Sequence, residues 1–158
     1  MDSKLIAAFV LAIVIEVLMP IAVGLWLQRR YGVSWRLFWY GALVFFAFQM
    51  ATRIPLVQSL QSALMPQLQS SQVLLLAWFA ALAFSAGLFE ETGRYLGYRY
   101  LVGKAKTWKN ALMYGAGHGG LESMLLVGGG VALTLIQGLA IQGIDPSQVA
   151  LPAQQAEQ

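Results

Sequence analysis

One stretch of the sequence, residues 73–89, contains seventeen residues without a single charge. A helix of about 20 mostly apolar residues is long enough to cross the hydrocarbon core of a membrane. The whole chain has the same character, because 58% of its 158 residues are hydrophobic, 11% are charged and the mean hydropathy is +0.64. These values exclude an ordinary soluble domain and predict a protein that crosses the membrane several times.

The chain length leaves room for about four membrane spans with short connections. We therefore predict an all-α fold, a polytopic transmembrane helical bundle of about four spans. The whole of 1–141 would form one transmembrane domain and 142–158 a flexible polar tail. The predicted spans are 4–27, 37–52, 73 to about 102, and 108 to about 141.

Proline and glycine suggest where these spans end or bend. We expect Pro55 to end the second span, because proline lacks a backbone N–H and disfavours helical geometry at the residue before it. The following segment, 56–72, is then predicted to be a loop with a short interfacial helical turn. Three consecutive glycines at 128–130 predict either a break in the fourth span or a very close helix approach.

Basic residues are concentrated in two short connections. Residues 28–36 and 103–109 each contain three Lys or Arg, whereas the loop after Arg53 and the tail contain none. Connections of this kind stay in the cytoplasm, so we predict that both face it, that the N-terminus lies outside and that the protein resides in a bacterial cytoplasmic membrane. The pI near 9.4 does not predict nucleic-acid binding, because the basic residues are thinly spread beside apolar segments.

Ionisable residues inside the predicted spans are the candidates for function. A charged group in hydrocarbon costs about 2.5 kcal/mol on insertion scales, so each needs a partner or a task. Glu90 and Arg94 are four residues apart with the acid first, the favourable orientation for a helical ion pair. Glu91 lies on an adjacent face of the same helix and could point toward a second helix.

The fourth span carries the sole histidine of the chain, His118, with Glu122 four residues later and Tyr114 four residues earlier. Glycines around the histidine would let another helix approach closely. Measured from the neighbouring basic connection at 1.5 Å per residue, His118 lies about 13 Å and Glu90 about 20 Å along their helices. We therefore expect the two groups to meet in the inner half of the bilayer.

The residue types leave several kinds of chemistry open. A carboxylate facing an imidazole in a secluded pocket can activate water, with Glu as general base and His orienting the water and the developing oxyanion. The same groups could bind a divalent metal such as zinc, for which the candidate ligands are Glu90, Glu91, His118 and Glu122. A proton or cation path and a purely structural ion pair are further possibilities.

Three motifs bear a resemblance to a known family: "RIP" at 53–55, "GLFEETGRYLGYRYL" at 87–101 and "WKNALMYGAGHGGLESMLLVG" at 108–128. Together they resemble the YhfC-type intramembrane peptidases, distant relatives of the CAAX-processing and bacteriocin-processing membrane endopeptidases. The resemblance implies a Glu-Glu motif with a downstream Arg, which falls on Glu90, Glu91 and Arg94. It also implies an aromatic-x-x-x-His motif, which falls on Tyr114 and His118.

The sequence departs from this wider group in two ways. Arg94 follows the first Glu by four residues instead of five, and a second histidine, which the relatives carry on further membrane helices, is absent. We therefore expect a C-terminally short member that acts as a homo-oligomer or with a partner subunit supplying the missing helices.

The predicted function is an intramembrane endopeptidase that hydrolyses peptide bonds of membrane-associated peptides or membrane proteins. Glu90, Glu91 and His118 are its predicted catalytic residues, with Glu90 as general base; Arg94, Glu122 and Tyr114 support them, and Arg53 is a candidate for substrate binding. The alternatives are a catalytically silent relative with an immunity, regulatory or scaffold role, and a small proton-coupled transporter.

Overall fold

The computed structural model describes residues 1–103 and 106–142, and helices account for nearly all of them. The predicted tail from residue 143 onward and positions 104 and 105 lie outside the described residues. In chain order the helices are α1 (Ser3–Tyr31), α2 (Trp35–Phe45), the π-helical segment π1 (Phe46–Arg53), α3 (Ile54–Ser70), α4 (Gln72–Tyr100), α5 (Trp108–Glu122), the π-helical segment π2 (Ser123–Gly128) and α6 (Gly129–Ile141).

Four continuous helical stretches in the described part of the chain are long and apolar enough to cross a membrane. They confirm the predicted all-α transmembrane bundle. Large apolar side chains point outward along them, such as Val73 and Phe84 on α4, each about three-quarters exposed. Lipid solvates such surfaces, and a helix satisfies its own backbone groups there. The predicted orientation, with the N-terminus outside, stays a prediction. The four stretches are Ser3–Tyr31, Trp35–Ser70, Gln72–Tyr100 and Trp108–Ile141.

The second stretch is longer than the sequence predicts. Residues 54–70 form α3 instead of a loop, and π1 joins α2 to α3 without a break. Pro55 lies in the first turn of α3, and the N–H of Ile54 donates to the carbonyl of Gln49, five residues back. Local π geometry can re-satisfy the backbone groups that a proline would otherwise leave unpaired in a membrane helix. The prediction that Pro55 ends the span is therefore wrong.

Residues 19–122 form one compact unit. Within it, α2 and α5 touch through their backbones: a Cβ added at Gly41 would lie 1.9 Å from the carbonyl oxygen of Tyr114, and one added at Gly117 would lie 1.8 Å from that of Phe38. Such an approach needs glycine on both helices. Two apolar clusters flank the contact, formed by Leu27, Val33, Phe38 and Met113, and by Val44, Val102 and Tyr114.

The second compact unit combines residues 1–18 with the described residues 123–142. Here the hydroxyl of Ser123 lies within hydrogen-bonding distance of the backbone carbonyl of Glu16, at 3.1 Å, and also of its carboxylate. A Cβ added at Gly128 would lie 3.4 Å from Cβ of Glu16. This is an ordinary van der Waals distance, so the very close approach predicted for the triple glycine stays a prediction, and the alternative of a break is wrong, because π2 continues directly into α6.

Candidate functional site

Arg94 joins both carboxylates of the Glu-Glu motif on α4. Its Nη2 atom lies 3.3 Å from Oε2 of Glu90 and 2.7 Å from Oε1 of Glu91. The ion pair predicted from the spacing of Glu90 and Arg94 is confirmed. Glu91 turns back to the same guanidinium and is 74% exposed, whereas the Glu90 side chain is 25% exposed. Glu90 is therefore the more enclosed of the two acids.

Gln49 on π1 holds the other side of Glu90, and sequence reasoning missed it. The Gln49 side chain is buried, and its amide nitrogen donates to Oε1 of Glu90 at 3.1 Å and to the carbonyl of Ala86 at 3.4 Å. One carboxylate oxygen of Glu90 therefore accepts a hydrogen bond from Gln49 on π1, and the other accepts one from Arg94 on α4, the helix that carries Glu90. A signal was available, because Gln49 is an amide side chain within a predicted span and lies four residues before Arg53, on the same helix face.

Arg53 anchors Gln49 and connects π1 to α4. Its guanidinium donates to the side-chain oxygen of Gln49 at 3.4 Å, to the carbonyl of Leu82 at 2.7 Å and to the hydroxyl of Ser85 at 3.3 Å. The bond from Arg53 fixes which end of the Gln49 amide faces Glu90. These contacts are internal to the protein, and the role of Arg53 in substrate binding stays a prediction.

His118 is buried on α5, with 3% of its surface exposed. Its ring packs edge-on against Phe45, with ring centroids 5.4 Å apart. The Gly41 backbone lies beside the ring, but neither ring nitrogen makes a hydrogen bond of standard geometry with any residue that the structure describes. Buried polar atoms without a partner are uncommon and mark a place where water or a ligand is required.

Tyr114 and Glu122 lie on α5 one turn before and one turn after His118. Tyr114 is buried, and its hydroxyl donates to the backbone carbonyl of Arg94 at 3.4 Å. That hydroxyl occupies the space left by Gly97, where a Cβ would come within 2.3 Å of it. Tyr114 therefore joins α5 to α4 beside the Glu-Glu motif. The Glu122 side chain is partly buried.

The ionisable groups of α4 and α5 are close enough for their charges to interact. Arg94 and Glu91 act electrostatically on His118, and Glu90 and Arg94 act on Glu122. The Nε atom of Arg94 is also buried, and no residue of the described part of the chain accepts a hydrogen bond from it. Two buried groups with unused hydrogen-bonding capacity, Arg94 Nε and the His118 ring, therefore belong to one electrostatically coupled cluster.

The described residues offer an incomplete set of ligands for a metal ion. Across residues 1–103 and 106–142, no three His, Asp or Glu side chains come together as a group that could hold one. Catalytic zinc sites use three protein ligands and keep a fourth position open for water. The predicted metal ligands Glu90, Glu91, His118 and Glu122 thus do not form a complete ligand set in the described part of the chain.

These features define a polytopic α-helical membrane protein with acids, a guanidinium and an imidazole gathered inside its spanning helices. Residues 15–158 match the family described as the YhfC intramembrane metalloprotease. The chain belongs to this YhfC family, as its motifs predict.

A curated relative is the "Uncharacterized membrane protein YhfC" of Bacillus subtilis (strain 168), 40% identical over 115 residues. The match covers 72% of this chain and 44% of the relative, so the chain spans less than half of that protein's length. No solved structure matches the chain.

Proposed function

We propose that the protein is an intramembrane endopeptidase, with Glu90 as general base and His118 as its partner in binding water. One observation carries the proposal. The Glu90 carboxylate, bonded on both oxygens, pairs with Arg94, whose charge also acts on a buried imidazole that makes no hydrogen bond of standard geometry within the described residues. The family description, an intramembrane metalloprotease, supports peptide hydrolysis as the reaction.

Glu90 would act twice in this reaction. A water oxygen bonds to the carbonyl carbon of the substrate while its proton passes to the Glu90 carboxylate, and the carbonyl electrons move onto oxygen. As the C–N bond breaks, Glu90 returns the proton to the leaving amine. A general base must stay within hydrogen-bonding reach of the water. The bonds from Gln49 and Arg94 would hold Glu90 in that position.

His118 and Arg94 would stabilise the charge that develops. The imidazole can hold the water or donate to the oxyanion, and the unused N–H at Nε of Arg94 is a second donor in the cluster. Fixed donors aimed at a developing oxyanion are among the largest contributions to catalysis in a site that excludes water. Glu91 and Glu122 would balance the charge of the cluster, and Tyr114 would keep α5 against α4.

A metal, when bound, would supply a Lewis acid for the substrate carbonyl and a more acidic water. No step above passes through one, because the described residues lack a complete ligand set. The same incomplete set favours a second candidate function, a catalytically silent membrane protein with a regulatory, immunity or scaffold role.

The Glu90→Gln variant separates the two functions. Gln keeps the shape of the side chain and one of its two acceptor oxygens but cannot accept the water proton. Glu16→Gln is a matched control, since Glu16 is also an acid within a spanning helix and lies in the other compact unit. Cells producing the parent chain or either variant are compared by chemical labelling of new protein N-termini in their membranes, followed by mass spectrometry.

We expect a set of new N-termini with the parent chain and with Glu16→Gln, and their loss with Glu90→Gln at equal protein level and helicity. New N-termini that persist in Glu90→Gln would refute Glu90 as the base. Failure of the parent chain to produce any would favour the silent membrane protein.

A further inference from the structure

Cations and aromatic rings gather where α1 ends and α5 begins, away from the Glu90 and His118 cluster. The last turns of α1 provide two arginines and the first turn of α5 provides a lysine, although the two segments lie almost eighty residues apart in sequence. We name this group the basic face, and it consists of Trp26, Arg29, Arg30, Tyr31, Trp108 and Lys109.

Tyr31 is the centre of the basic face. Its ring packs edge-on against Trp26 and Trp108, with centroids 5.6 and 5.1 Å apart. The guanidinium of Arg30 lies 5.9 Å from the Tyr31 centroid, and the ammonium of Lys109 lies 5.3 Å from it. Cations at such distances from aromatic rings are attracted to them. The positive groups are therefore collected by packed rings instead of being dispersed in the solvent.

The cations of the basic face have no acidic partner within residues 1–103 and 106–142. The two ion pairs found in the described ranges both belong to Arg94 on α4, so neither arginine of the basic face nor Lys109 has a carboxylate within ion-pair distance there. Positive groups gathered on one face repel one another, and the repulsion is relieved when an anion binds between them. The ligand that suits the basic face is therefore an anion.

A recess on α1 indicates which anion fits. It has a volume of about 480 Å³ and is lined by Ala22, Leu25, Trp26, Arg29 and Arg30, which share one face of the helix. Its lining changes from apolar to basic along the helix toward the connection at 28–36. Trp26 and Trp108 are each more than half exposed, and tryptophan is typical of the boundary between hydrocarbon and headgroups.

We propose that the basic face binds an anionic phospholipid, with the phosphate headgroup against Arg29, Arg30 and Lys109 and an acyl chain along Ala22 and Leu25. The apolar part of the recess favours a lipid over a free phosphate ion, which would need only the basic end. The site is independent of the proposed peptidase activity, because no residue of the basic face belongs to the Glu90 and His118 cluster.

The test uses the full chain in neutral detergent, titrated with phosphatidylglycerol or with phosphatidylcholine of the same acyl chains, and bound lipid is counted by native mass spectrometry. The variants are Arg29→Gln with Arg30→Gln, Lys109→Gln alone, and Arg36→Gln as the control. Arg36→Gln removes one positive charge, as Lys109→Gln does. Arg36 lies in the first turn of α2, is exposed and does not belong to the basic face. A contribution of about 1 kcal/mol for each basic group that contacts the headgroup corresponds to about a fivefold change in anionic-lipid affinity.

We expect the parent chain and Arg36→Gln to prefer phosphatidylglycerol equally. The double arginine variant should lose about 25-fold in that preference and Lys109→Gln about fivefold, with unchanged phosphatidylcholine binding. An equal loss with Arg36→Gln would mean that only total charge matters and would overturn the site, as would the absence of any preference in the parent chain. Displacement of the lipid by glycerophosphate at equal concentration would indicate a soluble phosphate ligand and would overturn the lipid assignment. Should the double variant fail to fold, Lys109→Gln decides alone.

Discussion

Replacing Gln49 by Leu tests whether this buried amide holds Glu90. Leucine has a similar volume, so the change removes hydrogen bonds with little loss of packing. Gln49 gives one bond of 3.1 Å to a charged acceptor and makes two longer contacts of 3.4 Å, to the Ala86 carbonyl and from Arg53. The first bond should dominate the loss.

The expected magnitude follows from the kind of bond. Hydrogen bonds to charged groups contribute about 1.5 to 3 kcal/mol in soluble proteins, and side-chain bonds between membrane helices average about 0.6 kcal/mol with a maximum of about 1.7. Gln49 is 3% exposed and bonds to a charged group, so we expect a loss in the upper part of the membrane range, about 1 to 1.7 kcal/mol.

The assay is reversible unfolding of the purified chain in mixed micelles by increasing sodium dodecyl sulfate, followed by circular dichroism. Gln58→Leu is the matched control, because Gln58 is exposed on α3 and its side chain makes no hydrogen bond within the described residues. The free energy of unfolding of Gln58→Leu should not fall below that of the parent chain.

A double-mutant cycle with Glu90→Leu then isolates the pair. If Gln49 acts through Glu90, the two losses should be non-additive by at least about 0.5 kcal/mol. Additive losses would refute the reasoning, since they would mean that Gln49 stabilises the protein through other contacts.

Two further predictions concern helix packing. Gly41→Ala should prevent stable folding, because its Cβ would lie 1.9 Å from the carbonyl oxygen of Tyr114, whereas Gly115→Ala should be tolerated because nothing lies within 4 Å of that position. The yield of monodisperse protein in size-exclusion chromatography measures both effects. A normal yield of Gly41→Ala would contradict the close contact. Ser123→Ala should lower the free energy of unfolding by about 0.6 to 1.7 kcal/mol through loss of its bond to Glu16, and an unchanged value in the same detergent titration would remove that bond from the account.

The membrane spans could be predicted because hydrocarbon is a demanding solvent. It allows few charges and requires internally bonded backbone, so long uncharged segments have few other folds available. The predicted end at Pro55 was wrong for a local reason. Proline costs little in the first turn of a helix, and the wider turn of π1 precedes it.

The ionisable residues of the cluster could be identified from the sequence, but their arrangement could be predicted only in part. Spacing on one helix predicted the Glu90 and Arg94 pair, because both residues share a face whatever surrounds the helix. Gln49 escaped notice because glutamine is a common residue whose role depends on what another helix brings to it. Within the described residues, the lack of hydrogen bonds of standard geometry at His118 also depends on neighbouring helices, and no spacing rule reveals it.

The two ion pairs of Arg94 bear on how the chain enters the bilayer during synthesis. Both pairs lie within α4, so they can form as soon as that helix exists and can reduce a charge penalty of about 2.5 to 3.5 kcal/mol per residue. Arg53 differs, because two of its acceptors, the Leu82 carbonyl and the Ser85 hydroxyl, belong to the following helix. We therefore expect the ribosome-bound translocon to retain the helix carrying Arg53 until α4 emerges, and to release the two into lipid as a hairpin.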